Sequence, residues 1–204
     1  MNINEFIFKL KRKVKFIIGY CIFQYPRILK YKILSDCKNI VGKPIYNQPT
    51  QLLGKGYISF GKNVNLGVVT SPFFYNGYGY IDARKLHSKI IIEDNVWINN
   101  NFNICSEGEG IEIGKDTLIG LNFEVSDSDF HDLHPDKRTS GIPKTAKVII
   151  GKNVFIGSNV KILKGVTIGD NSVIANSSVV TKSIPANVIA GGYPAKVIKK
   201  IDFN

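Results

Sequence analysis

The sequence has little of what marks several common protein classes. It contains three cysteines, at positions 21, 37 and 105, an odd number with no C-x-x-C spacing. They form neither a disulfide framework nor a cysteine metal pair, and we expect a reducing compartment. The chain also lacks a G-x-G-x-x-G loop and a Walker A motif, so a nucleotide site of either kind is not predicted.

Long hydrophobic runs are missing as well. The apolar run at 16–23 is far shorter than the roughly 20 residues of a membrane-spanning helix. Basic residues precede it, as in a signal peptide, but Gln24, Tyr25 and Pro26 follow where a small-residue cleavage site would stand. We therefore expect a cytoplasmic protein.

Positive charge is concentrated at the start of the chain. Residues 1–40 hold nine basic and two acidic residues, which is +7 of the total net charge of +11. Within them the apolar residues are spaced by four and three, which predicts one helical stripe that ends near Pro26: Ile3, Ile7, Leu10, Val14, Ile17 and Cys21. A basic amphipathic helix of this kind either contacts an anionic membrane through residues 3–23 or packs on the rest of the chain or on a neighbouring subunit.

Aromatic residues cluster in the irregular region 67–89, at positions 73, 74, 75, 78 and 80. Basic residues are absent among them, so the pattern does not favour nucleic-acid binding. The cluster is either a wall that contacts carbohydrate or internal packing.

From Val148 the chain repeats every six residues: VIIGKN VFIGSN VKILKG VTIGDN SVIANS SVVTKS. Six residues turn an α-helix through about 600°, so successive aliphatic residues would fall on different faces. Short strands separated by corners explain the period, because residues two apart share one face of a strand. Three units make a coil of 18 residues, which places Ile150 over Ile168 and Ile156 over Ile174. Fragments of the repeat occur at 58–67, 90–104 and 111–125, with breaks at 67–89, 105–110 and 126–147.

Three C-terminal segments carry a resemblance to a known family: GVTIGDN at 165–171, VTKSIPAN at 180–187 and GGYPAKVI at 191–198. Over about residues 56–200 the chain resembles the hexapeptide-repeat acyltransferases. The resemblance implies an all-β fold, a left-handed parallel β-helix at 41–204 preceded by the segment 1–40. It also implies a homotrimer with active sites between subunits.

The break at 126–147 is polar and holds two of the three histidines. Its stretch HDLHPDKRTSG at 131–141 resembles the active-site loop of maltose and galactoside acetyltransferases, in which a histidine stands seven residues before an arginine. His131 has that spacing from Arg138 and His134 does not, so the resemblance implies that His131 is the catalytic base.

The resemblance implies further roles. Asn101 matches a residue that binds the acceptor, although a corner position on the outer face would equally explain an asparagine there. Ser158 matches a position facing both the acceptor and the thioester, where an N–H or a hydroxyl stabilises the oxyanion. Contacts to acetyl-CoA are implied for Ser158, Asn176, Thr181, Lys182, Lys196 and Lys199. Phe155 stands where the family usually has tryptophan.

The function that follows is transfer of an acetyl group from acetyl-CoA to a sugar hydroxyl, in the synthesis of capsule or lipopolysaccharide. N-acetylation of a nucleotide-linked amino sugar and a non-catalytic β-helix scaffold are the alternatives. A zinc carbonic anhydrase would use three histidines around one ion, and His87 lies far from the loop in sequence, so no metal is expected.

Overall fold

The computed structural model describes residues 2–202. Two helices, α1 (Ile3–Gly19) and α2 (Tyr25–Ile33), are joined by a π-helical turn at Tyr20–Gln24, and one 3₁₀ turn lies at Pro135–Lys137. The strands in chain order are β1 (Asn39–Val41), β2 (Ile45–Tyr46), β3 (Thr50–Leu53), β4 (Tyr57–Phe60), β5 (Asn65–Leu66), β6 (Gly79–Ala83), β7 (Lys89–Ile92), β8 (Trp97–Ile98), β9 (Asn103–Ser106), β10 (Ile111–Ile113), β11 (Leu118–Ile119), β12 (Glu124–Ser126), β13 (Val148–Ile150), β14 (Phe155–Ile156), β15 (Lys161–Ile162), β16 (Thr167–Ile168), β17 (Val173–Ile174), β18 (Val179–Val180), β19 (Val188–Gly192) and β20 (Ala195–Lys200).

The strands form three sheets along the sides of a triangular prism. The first sheet has the order β1-β4-β7-β10-β13-β16, the second β2-β5-β8-β11-β14-β17-β19-β20, and the third β3-β6-β9-β12-β15-β18. All pairs are parallel except the final hairpin of β19 with β20. This is the left-handed parallel β-helix that the repeat and the family resemblance predict.

The core is a stack of aliphatic side chains, one layer per coil. Ile150 pairs with Ile168 and Ile156 with Ile174, as the 18-residue coil predicts, and all four are at most 1% exposed. Because every inward residue lies over an equivalent one, each coil covers the apolar surface of the next.

The corners of the coils are held by ladders of asparagine side chains. Asn153, Asn171 and Asn187 all have positive φ, and each of the first two donates its amide to the next at 3.0 and 2.9 Å. Asparagine tolerates the left-handed conformation better than most residues, which explains its recurrence at the corners.

The helical region differs from the prediction in one respect. Pro26 does not end the helical pattern, because the chain continues through the π-helical turn into α2, with the proline in the first turn of α2. A proline is tolerated there, since the first N–H groups of a helix have no intrahelical partner.

The π-helical turn and the second helix attach this region to the β-helix, whereas no residue described in the first helix is buried. Ile28 is 5% exposed, Gln24 donates its amide to the Asn47 carbonyl at 2.9 Å, and Arg27 donates to the Phe74 carbonyl at 3.1 Å. Neither helix, within the described part of the chain, combines the length and hydrophobicity needed to cross a membrane.

The break at 67–89 is also more regular than predicted. Its segment 79–83 is strand β6, which pairs with β3 and β9 in full register. Tyr78 of the aromatic cluster stacks on Tyr31 of α2, with ring centroids 4.6 Å apart. Part of the cluster therefore packs against the helical region.

Candidate active site

The long insert leaves the β-helix after β12 and returns before β13, through a narrow neck. Ser128 and Thr145 form an antiparallel bridge across this neck, and Ala146 donates its N–H to the Asp127 carbonyl at 2.9 Å. A paired neck anchors both ends of the insert on the rigid coil.

Asp127 fixes the neck to the neighbouring turn. Its buried carboxylate accepts hydrogen bonds from the Ser106 hydroxyl at 2.7 Å and from the backbone N–H groups of Glu107 at 2.8 Å and Gly110 at 2.7 Å. All three donors lie in the break at 105–110, so Asp127 joins that irregular turn to the start of the insert. Asp127 belongs to no motif, and its one signal in the sequence is its place at the start of the insert.

His131 lies exposed on the insert, with Nδ1 2.9 Å from the backbone carbonyl oxygen of Arg138. A carbonyl oxygen only accepts hydrogen bonds, so the contact places a proton on Nδ1. In the neutral ring, Nε2 then carries the lone pair. The spacing of seven residues noted in the sequence is therefore the span that closes this contact.

The other two histidines have different surroundings. His134 precedes the 3₁₀ turn, accepts the Asp136 N–H through Nδ1 at 3.3 Å, and donates its own N–H to Asp132 at 2.8 Å. His87 is exposed in the turn between β6 and β7. No group of three or more His, Cys, Asp or Glu side chains within residues 2–202 is arranged to hold a metal ion.

Asn101 is on the opposite edge of the third sheet from the insert, at the corner that joins it to the second sheet. Its φ is 62°, and its amide donates to Asn122 at 2.8 Å, which in turn donates to Asn159 at 2.8 Å. Asn101 is thus part of a corner ladder, and its exposed side chain also lines a surface cavity.

Ser158 and Asn176 lie at the same corner, two and three coils further on. The Ser158 N–H donates to Asn176 Oδ1 at 2.8 Å, so this N–H is already engaged. Ser158 Oγ accepts the Leu121 N–H at 3.2 Å, which leaves its hydroxyl proton as a donor toward solvent. Of the two hydrogen-bond donors of Ser158, the hydroxyl is therefore the one that can donate to an oxyanion.

Between these two edges runs the outer face of the third sheet. Tyr80, Asn103, Glu124 and Lys161 are paired in register across it. A cavity of about 530 Å³ covers these residues together with Asn101. A smaller one, of about 140 Å³, shares Tyr80, Asn103 and Glu124 and reaches Phe130, the residue before His131. The face therefore connects the asparagine corner with the base of the insert.

Cys105 and Tyr80 of this face are held in their protonated forms. Burial raises the pKa of the Cys105 thiol to about 12, so at neutral pH the nucleophilic thiolate is scarce. Burial and the nearby Asp82 carboxylate raise the pKa of the Tyr80 hydroxyl, which donates to Asp82 at 3.2 Å. Neither group is suited to act as a nucleophile.

The remaining predicted cofactor residues lie on other elements. Thr181 and Lys182 follow β18, at the edge between the third and first sheets, and Lys196 and Lys199 lie on β20 at the end of the second sheet. All four are exposed. Within one chain the predicted cofactor residues therefore occupy three separate elements.

Comparison with known proteins places the chain in a family. The profile described as bacterial transferase hexapeptide (six repeats) matches residues 147–182. A protein of Escherichia coli K12 named as a lipopolysaccharide biosynthesis O-acetyl transferase, WbbJ, is 34% identical over 160 residues, covering 74% of this chain and 76% of that protein.

Two solved structures extend the similarity. A galactoside acetyltransferase in complex with coenzyme A is 31% identical, with a TM-score of 0.50, over 80% of this chain and 65% of that one. AntD, an N-acyltransferase from Bacillus cereus in complex with dTDP and 3-hydroxybutyryl-CoA, is 26% identical, with a TM-score of 0.56, over 88% and 90%. These relatives are enzymes, which disfavours a non-catalytic scaffold. The chain belongs to the hexapeptide-repeat family of O-acetyltransferases.

Proposed function

We propose that this enzyme transfers the acetyl group of acetyl-CoA to a sugar hydroxyl, with His131 as the general base. The observation that carries the proposal is the contact between His131 Nδ1 and the Arg138 carbonyl, which leaves Nε2 free to accept a proton. The galactoside acetyltransferase bound to coenzyme A, and the name of WbbJ, support both the donor and the sugar acceptor.

The reaction proceeds by direct transfer. His131 Nε2 takes the proton of the acceptor hydroxyl while that oxygen attacks the thioester carbonyl carbon. Within one chain Ser158 lies across the third sheet from the insert, so in the proposal the tetrahedral oxyanion accepts a hydrogen bond from the hydroxyl of Ser158 of the partner subunit. Cleavage of the C–S bond releases the CoA thiolate, which takes the proton from the imidazolium. His131 returns to its neutral form, and no covalent bond to the enzyme is made.

The donor is held by exposed polar and basic side chains. Lys182, Lys196 and Lys199 provide positive charge for the phosphates of acetyl-CoA. Thr181 and Asn176 add polar groups to the donor site at their corners. Asn176 acts mainly by accepting the Ser158 N–H at 2.8 Å, which fixes Ser158. Because these residues lie on separate elements of one chain, we infer that a neighbouring subunit completes the donor site.

The acceptor lies along the outer face of the third sheet. Asn101, Asn103 and Glu124 offer amide and carboxylate groups to sugar hydroxyls, and Tyr78 and Tyr80 offer aromatic surface. The name of WbbJ favours a surface polysaccharide or its precursor as the acceptor. AntD favours a second candidate, N-acylation of a nucleotide-linked amino sugar on the same scaffold.

A homotrimer is part of the proposal, and the second sheet supports it. On its outer face Trp97, Leu118 and Phe155 stand in register as an apolar row, and Ile45 lies in the same column beyond Asn65; in one chain these four apolar side chains are 44–52% exposed. An exposed apolar row of this kind indicates a protein interface. Phe155, where the family usually has tryptophan, lies within this row.

We further propose that the enzyme is cytoplasmic and attaches to the inner face of a membrane through α1. Phe16 and Arg12 line cavities against the 69–75 segment, and a Cβ atom on Gly19 would lie 3.6 Å from the Tyr75 hydroxyl. The apolar stripe defined above lies on the other side of the helix and is exposed, with Leu10 at 50% and Ile17 at 49%. Lys11 and Lys13 border it and Lys9 and Lys15 lie next to them, which suits an anionic lipid surface.

Replacing His131 by alanine tests the base. We expect kcat to fall by about 10²- to 10⁴-fold, because the lost step is proton removal, with the KM for acetyl-CoA and the melting temperature unchanged. His134→Ala, on the same loop, is the control and should keep kcat within a few-fold. Turnover is followed by mass spectrometry over neutral glycans and nucleotide amino sugars, in which each transfer adds about 42 Da. Near-normal turnover in His131→Ala contradicts the assignment, and products on the amino sugars alone establish the second candidate.

Replacing Leu118 by aspartate tests the trimer. We expect light scattering after size exclusion to give three times the 22.7 kDa chain mass for the wild type and a lower mass for the variant. A charge in the middle of the apolar row must lose its hydration in the interface. Thr167→Asp, exposed on the first sheet, should leave the mass unchanged. A monomeric wild type contradicts the proposal.

Replacing Ile7 and Val14 together by aspartate tests membrane attachment. We expect the wild type to float with vesicles containing phosphatidylglycerol but not with phosphatidylcholine alone, and the double variant to remain unbound. Phe8→Ser is the matched control, since Phe8 is 65% exposed but lies off the stripe. Equal vesicle binding by the wild type and the double variant contradicts the proposal. A double variant that changes the oligomer mass shows instead that α1 packs on a neighbouring subunit.

A further inference from the structure

The residue before His131 has an unusual backbone conformation. Phe130 has φ of 60°, which is in the left-handed region. Most of the other non-glycine residues with positive φ in the described part of the chain are asparagines or aspartates at coil corners. An aromatic residue is strained in this conformation and keeps it only where its surroundings fix it. Because the peptide following Phe130 sets the direction of the next side chain, whatever fixes Phe130 also aims His131.

Two contacts fix Phe130. Its N–H donates to the Ser128 hydroxyl oxygen at 2.9 Å, and that hydroxyl donates to Glu107 Oε2 at 3.1 Å. On its other side, the guanidinium carbon of Arg84 lies 5.0 Å from the centre of the Phe130 ring, within the range of a cation–π interaction. The backbone and the ring of Phe130 are thus held by different elements.

Arg84 is itself oriented by a buried carboxylate. Its Nε donates to Asp82 Oδ2 at 3.0 Å, and the Asp82 side chain is only 7% exposed. Asp82 belongs to β6, so the guanidinium is tied to the rigid third sheet rather than to the insert. The contact series runs from the sheet through Asp82, Arg84 and Phe130 to the backbone of His131.

We propose that Arg84 is a positioning residue for the acetyl transfer, acting on His131 through Phe130. The inference rests on the proposed role of His131 as base. Arg84 needs no contact with either substrate for this role. Its effect is on the fraction of molecules in which Nε2 points at the acceptor hydroxyl, so it acts on kcat rather than on binding.

The test compares Arg84→Met, Arg84→Lys and Phe130→Ala. We expect Arg84→Met and Phe130→Ala each to lower kcat by about 10- to 100-fold, with KM for acetyl-CoA and the acceptor within two-fold of wild type. Arg84→Lys should recover part of the loss, because an ammonium group keeps the interaction with the ring. The double variant should be no slower than the worse single variant, since both changes break one series of contacts.

Lys147→Met is the matched control. Lys147 makes a comparable ion pair with Glu112 at 2.7 Å, at the other end of the insert, and its loss should leave kcat unchanged. Wild-type kcat in Arg84→Met overturns the proposal. A raised KM for the acceptor with unchanged kcat also overturns it, since Arg84 would then be a substrate contact.

Combination with His131→Ala separates this proposal from the assignment of the base. If Arg84 acts through His131, adding Arg84→Met to His131→Ala should lower the residual rate no further. If Arg84→Met lowers the rate by the same factor in the wild type and in His131→Ala, Arg84 does not act through His131, even where His131 is the base. Near-normal activity of His131→Ala alone would instead remove the base on which the proposal rests.

Discussion

Stacking of equivalent coils in register is the constraint on which the rest of this structure depends. Each inward aliphatic residue lies over its equivalent one coil away, as Ile150 does over Ile168. The asparagine ladders repeat at the corners with the same period. A chain built this way has little freedom to vary inside the prism, because a change in one coil disturbs the register of both neighbours. Chemistry is therefore confined to outward side chains and to segments that leave the coil.

The candidate site uses both possibilities. The insert supplies a histidine whose tautomer is fixed by a backbone carbonyl, and the corner of the same sheet supplies a serine whose N–H is engaged and whose hydroxyl is not. The sheet face between them carries tyrosine, asparagine and glutamate side chains in register. Rigid strands separate the two groups within one chain, and the proposed trimer would bring them together from neighbouring subunits in a fixed orientation, as catalysis requires.

Prediction from sequence succeeded where a local pattern determines the structure. The period of six gave the coil and the vertical pairs, and the family resemblance gave its handedness. It failed where contacts distant in sequence determine the local structure. Pro26 does not end the helical region, because a π-helical turn leads directly into α2. Gly79–Ala83 is a strand because β3 and β9 pair with it. Asp127 and Arg84 carry no motif, and their roles follow from contacts 17 and 46 residues away in sequence, with Gly110 and Phe130. The assigned roles of His131, Asn101 and Ser158 remain predictions.

The central claim is direct transfer, with the insert histidine as base and no acetylated enzyme. Initial rates measured over a grid of acetyl-CoA and acceptor concentrations test it most directly. Direct transfer predicts double-reciprocal lines that intersect, and no acetyl group on the protein when acetyl-CoA is supplied without acceptor. Parallel lines, together with a stoichiometric acetylated enzyme, would contradict it, because they are the signature of a covalent intermediate.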